Sequence, residues 1–300
     1  MPQASRRRAL TAAAAAVSIW GVSFIATKIA LREAGPLLVV WIRFGVGVLV
    51  LGIIVALRRE FTTPSVRDLG QFTVLGLIGI TLHQWLQSTG LTTAQASTTA
   101  WIVSASPIFI ALLGWSFLRE PMDRARILGI VIAASGVLLV VSRGDVPSLV
   151  TSPLDAPGDL LVLCSAVTWA LFSVLSRRAL THHPPSRLLF FVMLSGWILT
   201  SILMVLTDQL GPEISLTRQG LLALFFLGVF CSGIAYILWY DALRHLPASQ
   251  VGSLLFMEPL ITVCAAAIVL GETITASSLF GGGMVLAGVW LVTRLRHRTQ

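Results

Sequence analysis

Long apolar runs alternate with short polar breaks along the whole chain. The runs occupy 10–31, 36–57, 69–90, 95–118, 125–142, 158–180, 186–207, 219–240, 248–270 and 276–294. A helix needs about 20 mostly apolar residues to cross the hydrocarbon of a bilayer, so the pattern predicts ten membrane-spanning helices with short connections. The longest connector, 143–157, holds three prolines and separates two halves. The expected organisation is a first unit over 1–143 with spans one to five, a connecting loop at 144–157, and a second unit over 158–300 with spans six to ten. The opening SRRRALTAAAAAVS has the basic residues, apolar run and Ala-x-Ala triplets of a signal peptide. The run continues past Trp20 to Ile29, however, and therefore reads as an uncleaved first helix.

Composition supports a membrane protein. Of the 300 residues, 56% are hydrophobic and 11% charged, against about 25% charged in a soluble domain, too few polar groups to cover a surface in water. The net charge of +8 does not point to nucleic acid. The Lys and Arg residues form small clusters between apolar runs, which suits a membrane surface better than a groove that tracks phosphates. Their distribution also sets an orientation. With a cytoplasmic N-terminus, 16 of the 21 basic residues fall on the cytoplasmic side, four (Lys28, Arg32, Arg143 and Arg218) fall on the other, and Arg43 lies within a span. Both termini are therefore expected in the cytoplasm, with the chain a multi-pass protein of the inner cell membrane. Cys164, Cys231 and Cys264 all sit in apolar runs and imply neither disulfides nor a metal site.

The halves repeat. Shifted by 152 residues, 91–142 aligns without gaps on 243–294 and matches 11 of 52 positions, among them Pro107/Pro259, Glu120/Glu272, Gly129/Gly281 and Gly136/Gly288. A shift of 149 pairs Trp20 with Trp169 and Pro36 with Pro185, and sets Lys28 against Arg177. Five spans per half is an odd number, so the second half enters the membrane inverted. The expected fold class is an all-α integral membrane protein of ten helices in two inverted five-helix repeats, an architecture in which transporters place substrate near the midplane.

The runs Pro107-IFIALLGWSFLR-Glu120 followed by LGIVIAASGVLLV, and Glu258-Pro259-LITVCAAAIVLG-Glu272 followed by FGGGMVLAGVWLV, resemble the paired EamA-type repeats of the drug/metabolite transporter superfamily. Trp20-Gly21 in the first span and Arg43 early in the second share the likeness, which extends over about 9–295. The first half departs from the pattern by having Arg119-Glu120 in place of Gly-Glu. The resemblance implies a ten-helix exporter of small metabolites, often amino acids, that works without ATP hydrolysis and without a cofactor.

Helix rise of ~1.5 Å per residue places Arg43, His83 and Trp101 about 9–11 Å from one surface and Trp20, Trp169 and Glu258 about 16–18 Å deep, in one slab near the midplane. Arg43 stands out, because an intramembrane charge is costly and usually faces the bundle interior or a wet cavity. Two readings are open: an anchor for a substrate carboxylate, or an ion pair with Glu258. Glu258 itself is a candidate proton carrier, and Pro259 after it a cause of bending. His83 and Gln87 share one face of the third span with Gly76, Gly79 and Gly90, and Gln84 lies beside them. That face either lines a hydrated cavity or packs against another helix through its glycines and hydrogen bonds. Trp20, Trp101 and Trp169 are too deep for an interfacial belt and are candidates for an apolar substrate wall, with simple packing the alternative. Tyr236 and Tyr240, near the end of the eighth span, are candidates for an inner gate or for belt positions. Glu120 and Glu272 are expected to be structural, meeting the start of the next helix.

No G-x-S-x-G, H-E-x-x-H or G-x-G-D signature is present, so an enzyme is not expected. The partners expected are the bilayer and a small-molecule substrate, with no nucleic acid and no metal, and a monomer suffices. The reading the residues favour is a secondary exporter of small metabolites, amino acids with aromatic or apolar side chains among them, working by alternating access. The alternatives are a nucleotide-sugar or phosphometabolite antiporter, whose dianions call for several intramembrane cations, and a channel-like facilitator.

Overall fold

The computed structural model describes residues 3–118, 123–145, 157–207, 216–246, 251 and 254–294. Among these residues every regular element is helical. In chain order the rods are α1 (Gln3–Ala30), α2 (Pro36–Leu57), α3 (66–93), α4 (96–118), α5 (Arg124–Val141), α6 (Pro157–Leu180), α7 (Pro185–Leu206), α8 (218–245), α9 (Leu254–Leu270) and α10 (Ala276–Arg294). Seven helical stretches, in α1, α2, α4, α5, α6, α7 and α8, are long and apolar enough to cross a membrane. The other three rods are α3, which carries more polar residues, and the shorter α9 and α10. Large apolar side chains lie open on the outer surface, including Leu49 at 68%, Phe280 at 74% and Ile268 at 83% exposed. In water such a surface would drive aggregation; against lipid tails it is the appropriate solvent contact.

Local sequence accounts for the helix ends. Pro36 and Pro185, which are repeat-equivalent, open α2 and α7, where a proline loses no intrahelical hydrogen bond. Ser65 and Asp68 form a reciprocal capping box at the start of α3. Asp123 and Thr217 cap α5 and α8. Gly271, at φ +67°, ends α9 in the left-handed conformation that glycine adopts freely.

Four rods are not uniform. The middle of α3 (Leu77–Leu82) and the middle of α8 (Phe226–Ile234) are wound as π-helix, at corresponding places in the two halves. α4 breaks at Ala105 between Ala96–Ser104 and Ser106–Leu118, and α9 opens with a short 3₁₀ turn, Leu254–Phe256, before Met257–Ala265. Pro107 and Pro259 fall in the first turn of the segments that follow, where the missing N–H is tolerated. The proline of α9 therefore starts a helical segment instead of bending one.

The two halves interlock. α5 packs along α10, α3 along α6, α1 along α8 and α9, α4 along α6, α2 along α7 and α8, and α3 also contacts α7. Exchanging each helix for its counterpart five places along returns the same set of pairs. Glycines set the closest crossings. A Cβ added at Gly129 would lie 2.7 Å from the Gly288 carbonyl oxygen, and one at Gly281 would lie 2.7 Å from that of Gly136. The lower-numbered glycine of α5 thus meets the higher-numbered one of α10, so these two equivalent helices run antiparallel.

Candidate functional site

Arg43 lies on the buried stripe of α2 formed by Val40, Phe44, Gly47, Val48 and Leu51, and it is only 6% exposed. The crossing of α2 and α8 is close because Gly47 and Gly228 lack side chains. A Cβ at Gly47 would sit 2.7 Å from Cβ of Ser232, and one at Gly228 would sit 2.5 Å from Cβ of Val46. Ser232 is thereby brought to Arg43, whose Nε donates to its Oγ at 2.9 Å. From the other side, one guanidinium N–H donates to Oε1 of Gln84 on α3 at 3.0 Å. Ser232 belongs to the π segment of α8, and Gln84 lies two residues beyond that of α3. Wide turns of this kind re-aim side chains and recur at functional sites. The guanidinium plane also lies 5.2 Å from the centroid of the Phe44 ring. Two of the five guanidinium N–H donors are thus committed. The remaining terminal nitrogen has no protein partner among the described residues, yet it is not among the sealed, unsatisfied atoms, so it borders open space.

The neighbouring groups extend this layer. His83 is 4% exposed, and its Nδ1 makes a 2.9 Å hydrogen bond with the Ser165 carbonyl of α6, which fixes Nδ1 as the protonated nitrogen of the neutral ring. Its ring lies 5.2 Å from that of Trp169, which in turn lies 5.4 Å from Phe172. Gln87 is buried one turn further along the same face of α3. On α1, Trp20 donates from Nε1 to the Cys231 carbonyl at 3.1 Å and meets Tyr236 edge-on with centroids 5.3 Å apart.

Arg43, His83, Gln84, Gln87 and Tyr236, all buried, and the half-buried Trp20 and Trp169 therefore occupy one layer contributed by five helices. Tyr236 is 5% exposed against Trp20, a position unlike an interfacial belt, and Tyr240 packs half-buried one turn on. Trp101 stands apart. It is buried among Val140, Val263 and Leu286, donates to Ser278 Oγ at 3.1 Å, and covers Gly282 of α10. Glu258 is half-buried at the contact of α9 with α1, where a Cβ on Gly21 would be 3.0 Å from the Glu258 carbonyl oxygen. Among the described residues no ion pair joins it to Arg43. Ser232 was not foreseen from sequence, because one serine in the run Phe230-Cys-Ser-Gly-Ile-Ala-Tyr236 carries no periodic or charge signal.

At the end of the bundle remote from the N-terminus, Glu272 accepts hydrogen bonds from the Ala96 and Ser97 amides at 2.8 and 3.0 Å and from Ser97 Oγ at 2.7 Å. Lys28 of α1 lies 3.7 Å from the same carboxylate. Glu272 thus caps the start of α4, not that of the following helix α10. Glu120, its repeat counterpart, lies outside the described residues. A hollow of about 310 Å³ opens beside this cap, between Lys28, Arg32, Gln95, Glu272 and Thr273. At the opposite end Arg58 of α2 pairs bidentately with Asp241 of α8, at 2.7 and 3.1 Å, which raises the guanidinium pKa above its ordinary value. No group of three or more metal-ligating side chains occurs among the described residues.

Comparison with known proteins fits this arrangement. An uncharacterized transporter of Archaeoglobus fulgidus is 27% identical over 280 residues, covering 93% of this chain and 95% of that protein. A protein of Salmonella typhimurium named as a probable amino-acid metabolite efflux pump is 25% identical, covering 92% and 91%. A protein of known crystal structure is 20% identical and superposes with a TM-score of 0.68 over 98% of this chain and 99% of its own, a likeness of fold. The model of the EamA-like transporter family matches residues 7–142 and again 156–294; the chain belongs to that family and is a multi-pass membrane protein.

Proposed function

We propose that the chain is a secondary transporter that exports small metabolites, amino acids with apolar or aromatic side chains among them, by alternating access through the layer around Arg43. In this reading all ten rods cross the inner membrane as two inverted five-helix repeats, with both termini in the cytoplasm. The antiparallel glycine crossing of α5 and α10 and the exchange symmetry of the helix pairs support the inversion. One observation carries the functional reading. Arg43 is buried, held in place by Ser232 and Gln84, and still presents an unpartnered nitrogen to open space. A guanidinium so fixed can take a carboxylate without rearranging. Trp20 and Trp169 offer apolar surface beside it.

Two relatives support the substrate class through their own names: the Salmonella protein above, and a probable terminal-alkyne amino-acid exporter of Streptantibioticus cattleyicolor, 25% identical over 77% of this chain and 75% of its own. The test is uptake of labelled amino acids by purified protein in ATP-free liposomes. Saturable uptake, accelerated by unlabelled amino acid on the far side, is the expected result. Uptake that neither saturates nor shows trans-stimulation would indicate a pore, and no uptake of any amino acid would overturn the substrate class.

A further inference from the structure

We propose that the hollow at the end of the bundle remote from the N-terminus is a second solute site, which takes the carboxylate of a small metabolite on Arg32 and Lys28 as it leaves the protein. The role in release rests on the export reading above; the carboxylate chemistry is carried by the hollow itself. Lys28, Arg32, Gln95, Glu272 and Thr273 line one space of about 310 Å³. That is the lower end of the range for ligand pockets and enough for a solute of amino-acid dimensions.

The charges around this space are unequally committed. Lys28, in the last turn of α1, donates from Nζ to the Ala94 carbonyl and lies 3.7 Å from Oε1 of Glu272. Both oxygens of Glu272 are taken up in turn by the amides of Ala96 and Ser97 and by Ser97 Oγ. Arg32, just beyond the end of α1, is exposed, and its guanidinium has no hydrogen bond or ion pair among the described residues. Two cations against one carboxylate leave the hollow with an excess of positive charge. A concave surface of one sign draws a small ion of the other, and a guanidinium without a partner can grip a carboxylate through two parallel hydrogen bonds. A single excess charge suits a monocarboxylate better than a dianion. Gln95 and Thr273 offer hydrogen bonds to the solute's other polar groups, and Leu270 adds an apolar patch.

The test is the rate at which a membrane-impermeant maleimide labels Thr273→Cys in the full chain, in a background from which Cys164, Cys231 and Cys264 have been removed. The protein is placed in phosphatidylcholine liposomes with and without phosphatidylglycerol. Phenylalanine and phenylpropionate should slow the labelling in both kinds of liposome, and phenethylamine should not. Arg32→Gln is expected to raise the concentration for half-protection by at least ~3-fold, while Arg32→Lys stays closer to the parent. Protection should survive Arg43→Ala, which separates the hollow from the layer around Arg43. Protection by the amine equal to that by the acid, protection unchanged in Arg32→Gln, or loss of protection in Arg43→Ala would each overturn the proposal. So would labelling that phosphatidylglycerol slows and neither carboxylate does, which would assign the hollow to a lipid phosphate. Protection in a protein that transports no amino acid would remove the export reading and leave the carboxylate site standing; transport without protection would do the reverse. If Thr273→Cys is not monodisperse, Gln95→Cys in the same hollow reports in its place.

Discussion

Arg43 shows how far one residue can be read before its surroundings are known. Its depth in a span was legible from the sequence, because hydrocarbon tolerates so few charges that each one demands a reason. Its partners were not. Ser232 lies 189 positions away on α8, and nothing in the sequence distinguishes it from a serine that packs against a neighbouring helix. The choice between a substrate anchor and a Glu258 pair was equally closed to sequence, since it depends on the crossing that Gly47 and Gly228 permit. Trp101 illustrates the reverse case. It has the same estimated depth as Arg43, yet rotation about the helix axis points it at Ser278 and Gly282, and depth alone cannot report rotation. For Arg43 the expected outcome is specific. Arg43→Lys keeps the charge but cannot hold Ser232 and Gln84 while also presenting a free N–H fork to a carboxylate. Amino-acid uptake should fall at least ~10-fold, with an unchanged size-exclusion profile. Wild-type uptake in a well-folded Arg43→Lys and in Arg43→Ala would show that the guanidinium does not touch substrate.

At the scale of helices, the apolar runs and the prolines foretold most of the rods and several of their starts. The π segments of α3 and α8 had no such signal, because an inserted residue leaves composition unchanged and shifts the register only locally. The sequence matched Gly129 with Gly281 and Gly136 with Gly288, but did not tell which glycines of the last span make a contact. The structure separates them. A Cβ on Gly288 would come within 2.6 Å of Cβ of Ala133 and would also press on the Gly129 carbonyl, whereas a Cβ on Gly283 would meet nothing within 4 Å. Gly288→Ala must therefore push α5 and α10 apart, at a cost of about 1–3 kcal/mol. Gly283→Ala should be neutral or stabilising by up to ~1 kcal/mol through helix propensity. Thermal unfolding in detergent, followed by fluorescence, should give a lower midpoint for the first variant and an equal or higher one for the second. Equal midpoints in the two variants would mean that the glycine crossing does not set the distance between these helices.

For the whole molecule, the proposed inversion of the halves would give the proposed alternating access a physical basis. In the proposed arrangement equivalent helices run antiparallel, as α5 and α10 do, so an element that closes one end would have its counterpart at the other. The bundle is tied at both ends, through Lys28–Glu272 with the start of α4 at one and through Arg58–Asp241 at the other. A carrier must loosen these ties in alternation. The proposed inversion rests in the sequence on two independent signals, the odd number of apolar runs per half and the unequal split of basic residues. The expected topology can be checked with single cysteines in a background from which Cys164, Cys231 and Cys264 have been removed, using a membrane-impermeant maleimide on intact cells. Val150→Cys and Thr207→Cys should react from outside, while Thr63→Cys and Gln300→Cys should react only after permeabilisation. Thr63 and Thr207 are the sharper pair, since they follow α2 and α7, the equivalent second helices of the two halves. Labelling of both from the same side would defeat the inverted arrangement. Labelling of positions 150 and 300 from the same side would require an even number of crossings after the connector, which five spans in the second half cannot provide.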